Sequence, residues 1–574
     1  MASPFDEESA FAVPRISSRG AALPAVLPPS EAARIRRIFD LQARGDVEAA
    51  AAETLALGPS ILTGHILAGQ YLTAGGHASS AELATWLAKY PDHPDAGAVH
   101  AMLLSRLPRG VPTAPAPIVV SLGSDTAATA APEEEDPADH RLPRNPVLDR
   151  AVRERVRAGN ADGALRLVAK TSGLQPLYAS QLRSEIARGL FTQGQDVDAL
   201  RTAEGALRQS SGRIGLAGYV GGLAAWRLQR FDVAQSLFER ASRAEYAPPS
   251  LRAGASFWAA RAHLRNDDPA GSATWMRQAA EYRRTFYGIL ARRTLGLGNR
   301  LTPARDTLGV ADIDAVLVSP QGQRALALIQ VGQMHRAEAE LRVLWPMTVA
   351  NPALAGSILR VAEHAGLTDL AAQLAAILQN ANGQPHDEAR FPAPALRPLG
   401  GFRIDPAMVY ALTRLESNFD PSAVSGAGAR GLMQITPVTA GYLSGSRTGK
   451  GFAQRLHDPA TNLSIGQSYV LFLSQSDAVA GDLVRLLGSY NAGPTGFARM
   501  CAGAPFSDDP LLFIESIAND ETRGFVPRAL TYTWIYAARL HLPSPSLDEL
   551  ASGSWPVFHP AAARSAQYVA ARLN

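Results

Sequence analysis

Residues 409–437 read VYALTRLESNFDPSAVSGAGARGLMQITP. Just upstream, Asp405-Pro406 is a helix start, with a capping carboxylate followed by proline in the first turn. Met408, Leu412 and Leu415 then keep one apolar face at helical spacing. Asp420-Pro421 ends the pattern. Glu416 therefore falls in the last turn of a short helix. The negative end of the helix dipole disfavours a carboxylate there. Its apolar neighbours Leu415 and Phe419 favour the protonated form further, and Arg414 opposes this if it reaches the group. A carboxyl that stays protonated near neutral pH is what a general acid requires. A small-residue loop follows, in which Gly428 and Gly431 suit tight backbone turns, and then Gly431-Leu432-Met433-Gln434.

Two further blocks follow in order: Ser489-Tyr490-Asn491-Ala492-Gly493 and Glu521-Thr522-Arg523-Gly524-Phe525-Val526. Together with ESNF at Glu416 and GLMQ at Gly431, these four blocks resemble the soluble lytic transglycosylases (SLT domain), relatives of goose-type lysozyme. Ser417 and Phe419 match the family's ESxF signature, and Pro421, Ala423 and Ser425 match its continuation.

The resemblance implies an enzyme that cuts the β-1,4 bond between N-acetylmuramic acid and N-acetylglucosamine in peptidoglycan. One glutamate protonates the leaving oxygen. As a base it then takes the proton of the muramic 6-hydroxyl, which closes on C1 as a 1,6-anhydro ring without water. On this chain Glu416 fills both roles. The resemblance also implies substrate contacts from Ser425, Met433, Gln434, Tyr490 and Asn491, with Asn491 facing an N-acetyl group. One departure stands out: Phe525 occupies a position where the family usually has a tyrosine, and Tyr532 lies seven residues on.

Ordinary glycosidases pair their acid with a second carboxylate. The acid closest in sequence to Glu416 is Asp420, before a proline, where turn formation is the expected role. A single-acid mechanism is the simpler reading. A hydrolytic muramidase and a weakly active wall-binding or assembly protein are the alternatives.

The rest of the chain sets the frame. Its 574 residues exceed one core and imply three or four structural units. A hydrophobic fraction of 46% and a charged fraction of 19% are those of a folded protein. Ala, Leu and Arg, good helix formers, are abundant, so the fold class expected is mainly all-α. The 55 basic and 52 acidic residues are mixed along the chain, which excludes a nucleic-acid footprint of the usual clustered kind. The 12 histidines are scattered and show no metal-ligand spacing, so no metal or cofactor is implied. The lone Cys501 cannot form an intrachain disulfide. No run of about 18 apolar residues indicates a transmembrane helix, and residues 1–15 lack the pattern of a signal peptide. A wall-cutting enzyme acts outside the cytoplasm, so a periplasmic location is expected from function. The expected partners are peptidoglycan glycan strands, with other cell-wall enzymes as further candidates.

Along the chain, 1–29 reads as a disordered segment and 30–107 as a helical region whose first helix Ser30 can cap. Residues 108–145 form a Pro/Ala/acidic linker. From 146 to 380 helical hairpins recur, with turns near Asn160, Gly194, Arg230, Asn266, Gly332 and Gly366. Their spacings of 34, 36, 36, 66 and 34 residues, the 66 being about two periods, match stacked hairpins of tetratricopeptide type. Such hairpins bury their apolar faces only by stacking into a superhelix. Trp226, Trp258 and Trp275 lie on these helices and are expected in the core. A lysozyme-like domain follows over 395–550, and 551–574 is a short tail with a helical end.

Overall fold

A computed structural model describes residues 22–73, 78–107, 117, 119–122, 142–299, 301, 307–382, 386–445, 452–501 and 508–560. Of the segment 1–29 expected to be disordered, residues 1–21 lie outside these residues, as do most of the linker and the helical end of the tail at 561–574, whereas Leu27 is buried and Pro29 opens a helix. Among the described residues the secondary structure is helical, with four isolated β-bridges and no strand. The mainly all-α class is observed.

The chain divides into two compact units, each assembled from separated segments. One comprises Arg15–Ala130 and Thr302–Pro392; the other comprises Met1–Pro14, Ala131–Leu301 and Ala393–Asn574. The division cuts the stretch 146–380 near residue 301.

In the first unit the helix Pro29–Arg44 begins after Pro28, with proline in its first turn and no side-chain cap. Ser30 lies inside the helix, which corrects the expectation that it caps it: the two prolines preset the entry, so the start needs no hydroxyl. Ile35, Ile38 and Phe39 pack with Ile66 and with Ala327, Leu328 and Ala337 from the later segment. Leu27 and Gln330 clasp the two segments: the Leu27 amide donates to Oε1, and Nε2 donates to the Leu27 carbonyl, each at 2.8 Å.

The second unit begins with helical hairpins. Pro176–Thr192 pairs with Asp196–Gln209, Gly215–Arg227 with Phe231–Ser242, and Pro249–Arg265 with Pro269–Ala280. Their turns match the sequence reading: Gly194 is left-handed at φ 79°, and Arg230 and Asn266 bound helices. Close packing explains the small residues. A Cβ on Gly222 would lie 2.6 Å from the Phe238 ring, so only glycine allows the two helices this approach. Trp258 and Trp275 are buried and Trp226 half-buried, with Trp258 stacked on Phe238.

These hairpins continue into the helices after residue 393. Tyr219 and Tyr287 both donate to the Glu515 carboxylate, at 2.6 and 2.8 Å. Arg261 pairs with Asp509 at 2.6 Å, and Phe286 stacks on Trp534 at 5.4 Å. The core of this later part is the helix Pro406–Ser417 packed along Asp520–Arg539. The start of the tail joins it: Pro556 accepts from the Leu483 amide at 2.8 Å, and the Trp555 ring packs on Phe513.

Candidate active site

The helix that carries Glu416 is fixed at both ends. Asp405 accepts the Ala407 amide at 3.0 Å, and Pro406 opens the first turn. Val409, Tyr410 and Leu412 are buried in the core. At the other end Asn418 (φ 50°) and Phe419 (φ 66°) are consecutive left-handed residues. Non-glycine residues rarely adopt this conformation, and each costs about 1–3 kcal/mol. The Phe419 ring packs edge-on against Tyr410 and Tyr536, which holds the reversal in place. Ser417 then donates to the Leu432 carbonyl at 2.8 Å, so the GLMQ segment is fastened directly beside Glu416.

The intervening loop is held by its own backbone. Arg430 and Ile435 exchange reciprocal hydrogen bonds at 3.1 Å, and the Gly431 amide donates to Ala423 at 2.9 Å. Gly431 is left-handed (φ 71°), and a Cβ there would lie 2.2 Å from the Leu456 carbonyl oxygen. No other residue fits both demands. Gln434 is also left-handed (φ 47°), and its Nε2 donates to Gly431 at 2.9 Å and Ala423 at 3.2 Å. Ser425 is exposed, and its hydroxyl oxygen accepts the Ala429 amide at 3.1 Å.

Met433 corrects the sequence reading. Expected among the substrate contacts, its side chain is fully buried and packs against Gly466, where a Cβ would lie 2.2 Å from Sδ. No thioether surface remains for a ligand. The residue acts through its backbone instead. Its amide donates to Asn462 Oδ1 at 2.8 Å, and its carbonyl accepts from the Tyr490 hydroxyl at 2.8 Å.

Asn462 was not anticipated. It is fully buried, and its Nδ2 also donates to Arg430 and Leu456, each at 2.8 Å. The available signal was its position four residues after Asp458, the cap of the helix Pro459–Ser474. His457 adds a clamp, bonded to the Pro421 carbonyl at 2.9 Å and to Arg430 at 3.0 Å.

Glu416 is half-buried, and its carboxyl is pushed up to about 7. Burial is the largest cause, the negative charge of Glu521 adds to it, and Arg528 opposes it. The cation acting on the group is thus Arg528, seven residues from Glu521 on the same helix and the same face. Glu521, in the last of the four sequence blocks, is thus the acid whose charge acts on Glu416. Asp420, by contrast, accepts from the Ser422 amide and hydroxyl at 2.7 and 2.6 Å, as a turn residue does.

Tyr490 lies close enough to Glu416 for that charge to raise its phenol pKa, after burial. Its hydroxyl is committed to Met433, and its ring stacks on Phe525. Asn491 accepts from the Thr522 hydroxyl at 2.8 Å, which ties the YNAG block to the ETR block. Arg523 donates to the Ile517 carbonyl at 2.7 Å and pairs with Asp520. Tyr532 is buried and acts electrostatically on Tyr536.

An all-helical domain with a half-buried carboxyl, pushed up to about 7, at a helix C-terminus is the class that this fold and site define. Residues 397–509 match the family model of the Transglycosylase SLT domain. The soluble lytic murein transglycosylase of Escherichia coli K12 is 34% identical over 157 residues, covering 26% of this chain and 24% of that protein. The chain thus aligns with about a quarter of the length of this curated relative. Two solved structures share the fold over most of their length. The lytic transglycosylase Slt of Pseudomonas aeruginosa, an inactive mutant, matches with TM-score 0.53 and 21% identity, covering 91% of this chain and 88% of that one. The 70-kDa soluble lytic transglycosylase of E. coli matches with TM-score 0.51 and 18% identity, covering 94% and 100%.

Proposed function

We propose that this protein is a peptidoglycan lytic transglycosylase. It cleaves the β-1,4 bond between N-acetylmuramic acid and N-acetylglucosamine and leaves 1,6-anhydro-muramic ends. The observation that carries the reading is Glu416, a carboxyl that burial and Glu521 hold at about 7 at the end of a strained helix. Near neutral pH such a group donates a proton to the leaving oxygen and, once ionised, accepts one from the muramic 6-hydroxyl. The names of the relatives that share the SLT segment support the same chemistry.

In this reading Gln434 and Asn491 contact substrate, and Ser425 meets the sugar or its stem peptide from the exposed loop. Tyr490 positions the GLMQ segment through Met433. The helical hairpins guide the glycan strand. Glycan strands are the partner, other cell-wall enzymes are further candidates, and the site of action is the periplasm. No helix among the described residues is long and apolar enough to cross a membrane.

One observation favours a second reading. Glu521 supplies a second carboxylate facing Glu416, as a hydrolytic muramidase would need. Mass spectrometry of purified peptidoglycan digested by the wild type and by Glu416→Gln separates the two. Anhydro-muropeptides from the wild type alone support the transglycosylase. Reducing, hydrated muropeptides overturn it in favour of the muramidase, and intact peptidoglycan overturns both.

A further inference from the structure

The unit formed by the segments 15–130 and 302–392 contains an arrangement of side chains that the transglycosylase reading does not use. His65 lies on the helix Thr63–Leu72, and His93 and Asp95 lie on the turn that leads into Ala96–Arg106. Both imidazoles are 1% exposed, with ring centroids 4.0 Å apart. One ligand atom from each of His65, His93 and Asp95 lies within 4.8 Å of the other two. We propose that His65, His93 and Asp95 form a binding site for a borderline divalent transition metal of the zinc type, with a fourth position left for water.

The protonation pattern of His65 argues for it. Its Nε2 lies 2.7 Å from the Glu340 carboxylate, so Nε2 carries the proton and Nδ1 keeps its lone pair. That Nδ1 is buried and has no hydrogen-bond partner. A buried nitrogen lone pair without a donor is costly in a core and useful to a metal. The carboxylate behind Nε2 is the outer partner that metal-bound histidines characteristically have, since it fixes the tautomer and raises the basicity of the other nitrogen. Glu340 is itself immobilised: Arg324 grips both its oxygens, at 2.7 and 3.0 Å, and holds Asp92 at 2.8 Å.

His93 and Asp95 complete the set. His93 Nδ1 lies 3.7 Å from Asp95 Oδ2. Two ligands about 2.0–2.2 Å from one tetrahedral ion stand roughly 3.4 Å apart, so little movement is required. The Nδ1 lone pair now accepts the Asp95 amide at 3.1 Å, and coordination exchanges that hydrogen bond for a metal bond. The charges nearby are three carboxylates (Asp92, Asp95, Glu340) against two guanidiniums, Arg324 and Arg336, the latter 3.8 Å from Asp95. The excess is negative and suits a cation. Because Glu340 comes from the later chain segment and His65 from the earlier, the hydrogen bond behind Nε2 already ties the site to both segments of this unit.

This assignment stands apart from the chemistry at Glu416. It is tested on the full chain, stripped with a chelator and titrated with Zn2+ alone, by calorimetry and by metal content after dialysis. The expected result is one zinc per chain, a rise in melting temperature with zinc and none with Mg2+. His93→Ala and Asp95→Asn should each weaken binding at least tenfold and remove the thermal shift. Asp95, about one third exposed (34%), is the safer variant if His93→Ala does not fold. Failure of the wild type to retain zinc, or equal retention by Asp95→Asn, overturns the site.

Discussion

The ring of Phe525 lies parallel to that of Tyr490, with 10° between their planes and 6.3 Å between their centroids. Both rings are buried, and the Tyr490 hydroxyl holds the Met433 carbonyl. Phe525 therefore supports the GLMQ segment from behind, without a hydroxyl of its own. Phe525→Ala should lose about 3–5 kcal/mol of stability through the cavity it leaves. Phe525→Tyr should stay within about 1.5 kcal/mol of the wild type, because the ring and its stacking are retained. Its effect on turnover then reports whether a hydroxyl at this position serves the reaction; we expect a several-fold gain. Urea unfolding and muropeptide release measure the two effects.

Glu416 should leave a signature in stability as well as in rate. Its folded pKa, about 7, lies above the ordinary value of 4.5. The folded state therefore binds this proton more tightly than the unfolded chain. The contribution is fully present below pH 4.5 and is lost as pH rises through 7. Glu416→Gln, which cannot ionise, should thus match the wild type near pH 4 and exceed it by about 1–3 kcal/mol near pH 8. The same variant should lose roughly 100-fold or more in cleavage rate. Denaturant titrations at the two pH values check the first statement.

Glu521 and Arg528 tune the acid in opposite directions. Glu521→Gln removes a negative charge, so the alkaline limb of the pH–rate profile should move to lower pH. Arg528→Met removes the opposing cation, and the limb should move to higher pH. Parallel shifts in both variants would rule out direct electrostatic control. The measurement is cleavage rate between pH 5 and 9.

Asn462 is the junction of the loop. Replacing it with alanine orphans the Met433 amide and the Arg430 and Leu456 carbonyls in a buried site. Each unsatisfied group costs about 1–3 kcal/mol, so Asn462→Ala should lose about 3 kcal/mol or more. Activity should fall further than stability alone explains, because the loop beside Glu416 loses its anchor. Thermal unfolding and cleavage rate at a temperature well below the transition separate the two.

The helix around Glu416 was legible because its signals are local: an Asp-Pro start, apolar residues at helical spacing and an Asp-Pro stop. The helical hairpins were legible for the same reason, through turns recurring at a near-constant interval. Met433 turns to the core because Gly466, 33 residues on, leaves room for its side chain, a fit that carries no local mark in the sequence. Asn462 and Glu521 gain much of their importance from partners about 30 and 105 residues away. His65 and His93 escaped notice because their spacing matches no ligand motif, and the fold alone brings them together. Nor does any local pattern tell residues 15–130 that their partner is 302–392.

That last pairing bears on how the chain is made. Ile35, Ile38 and Ile66 complete their core with Ala327, Leu328 and Ala337. At ribosomal rates of about 5–20 residues per second, roughly 260 residues of synthesis separate Ile66 from Ala327, a wait of roughly 10–50 s. During that interval the early helices carry an apolar face with nothing to cover it, while the hairpins from Pro146 onward are already able to stack in order of emergence. The helices around Ile35 and Ile66 thus complete their core only after the hairpins that follow them in the chain have been made.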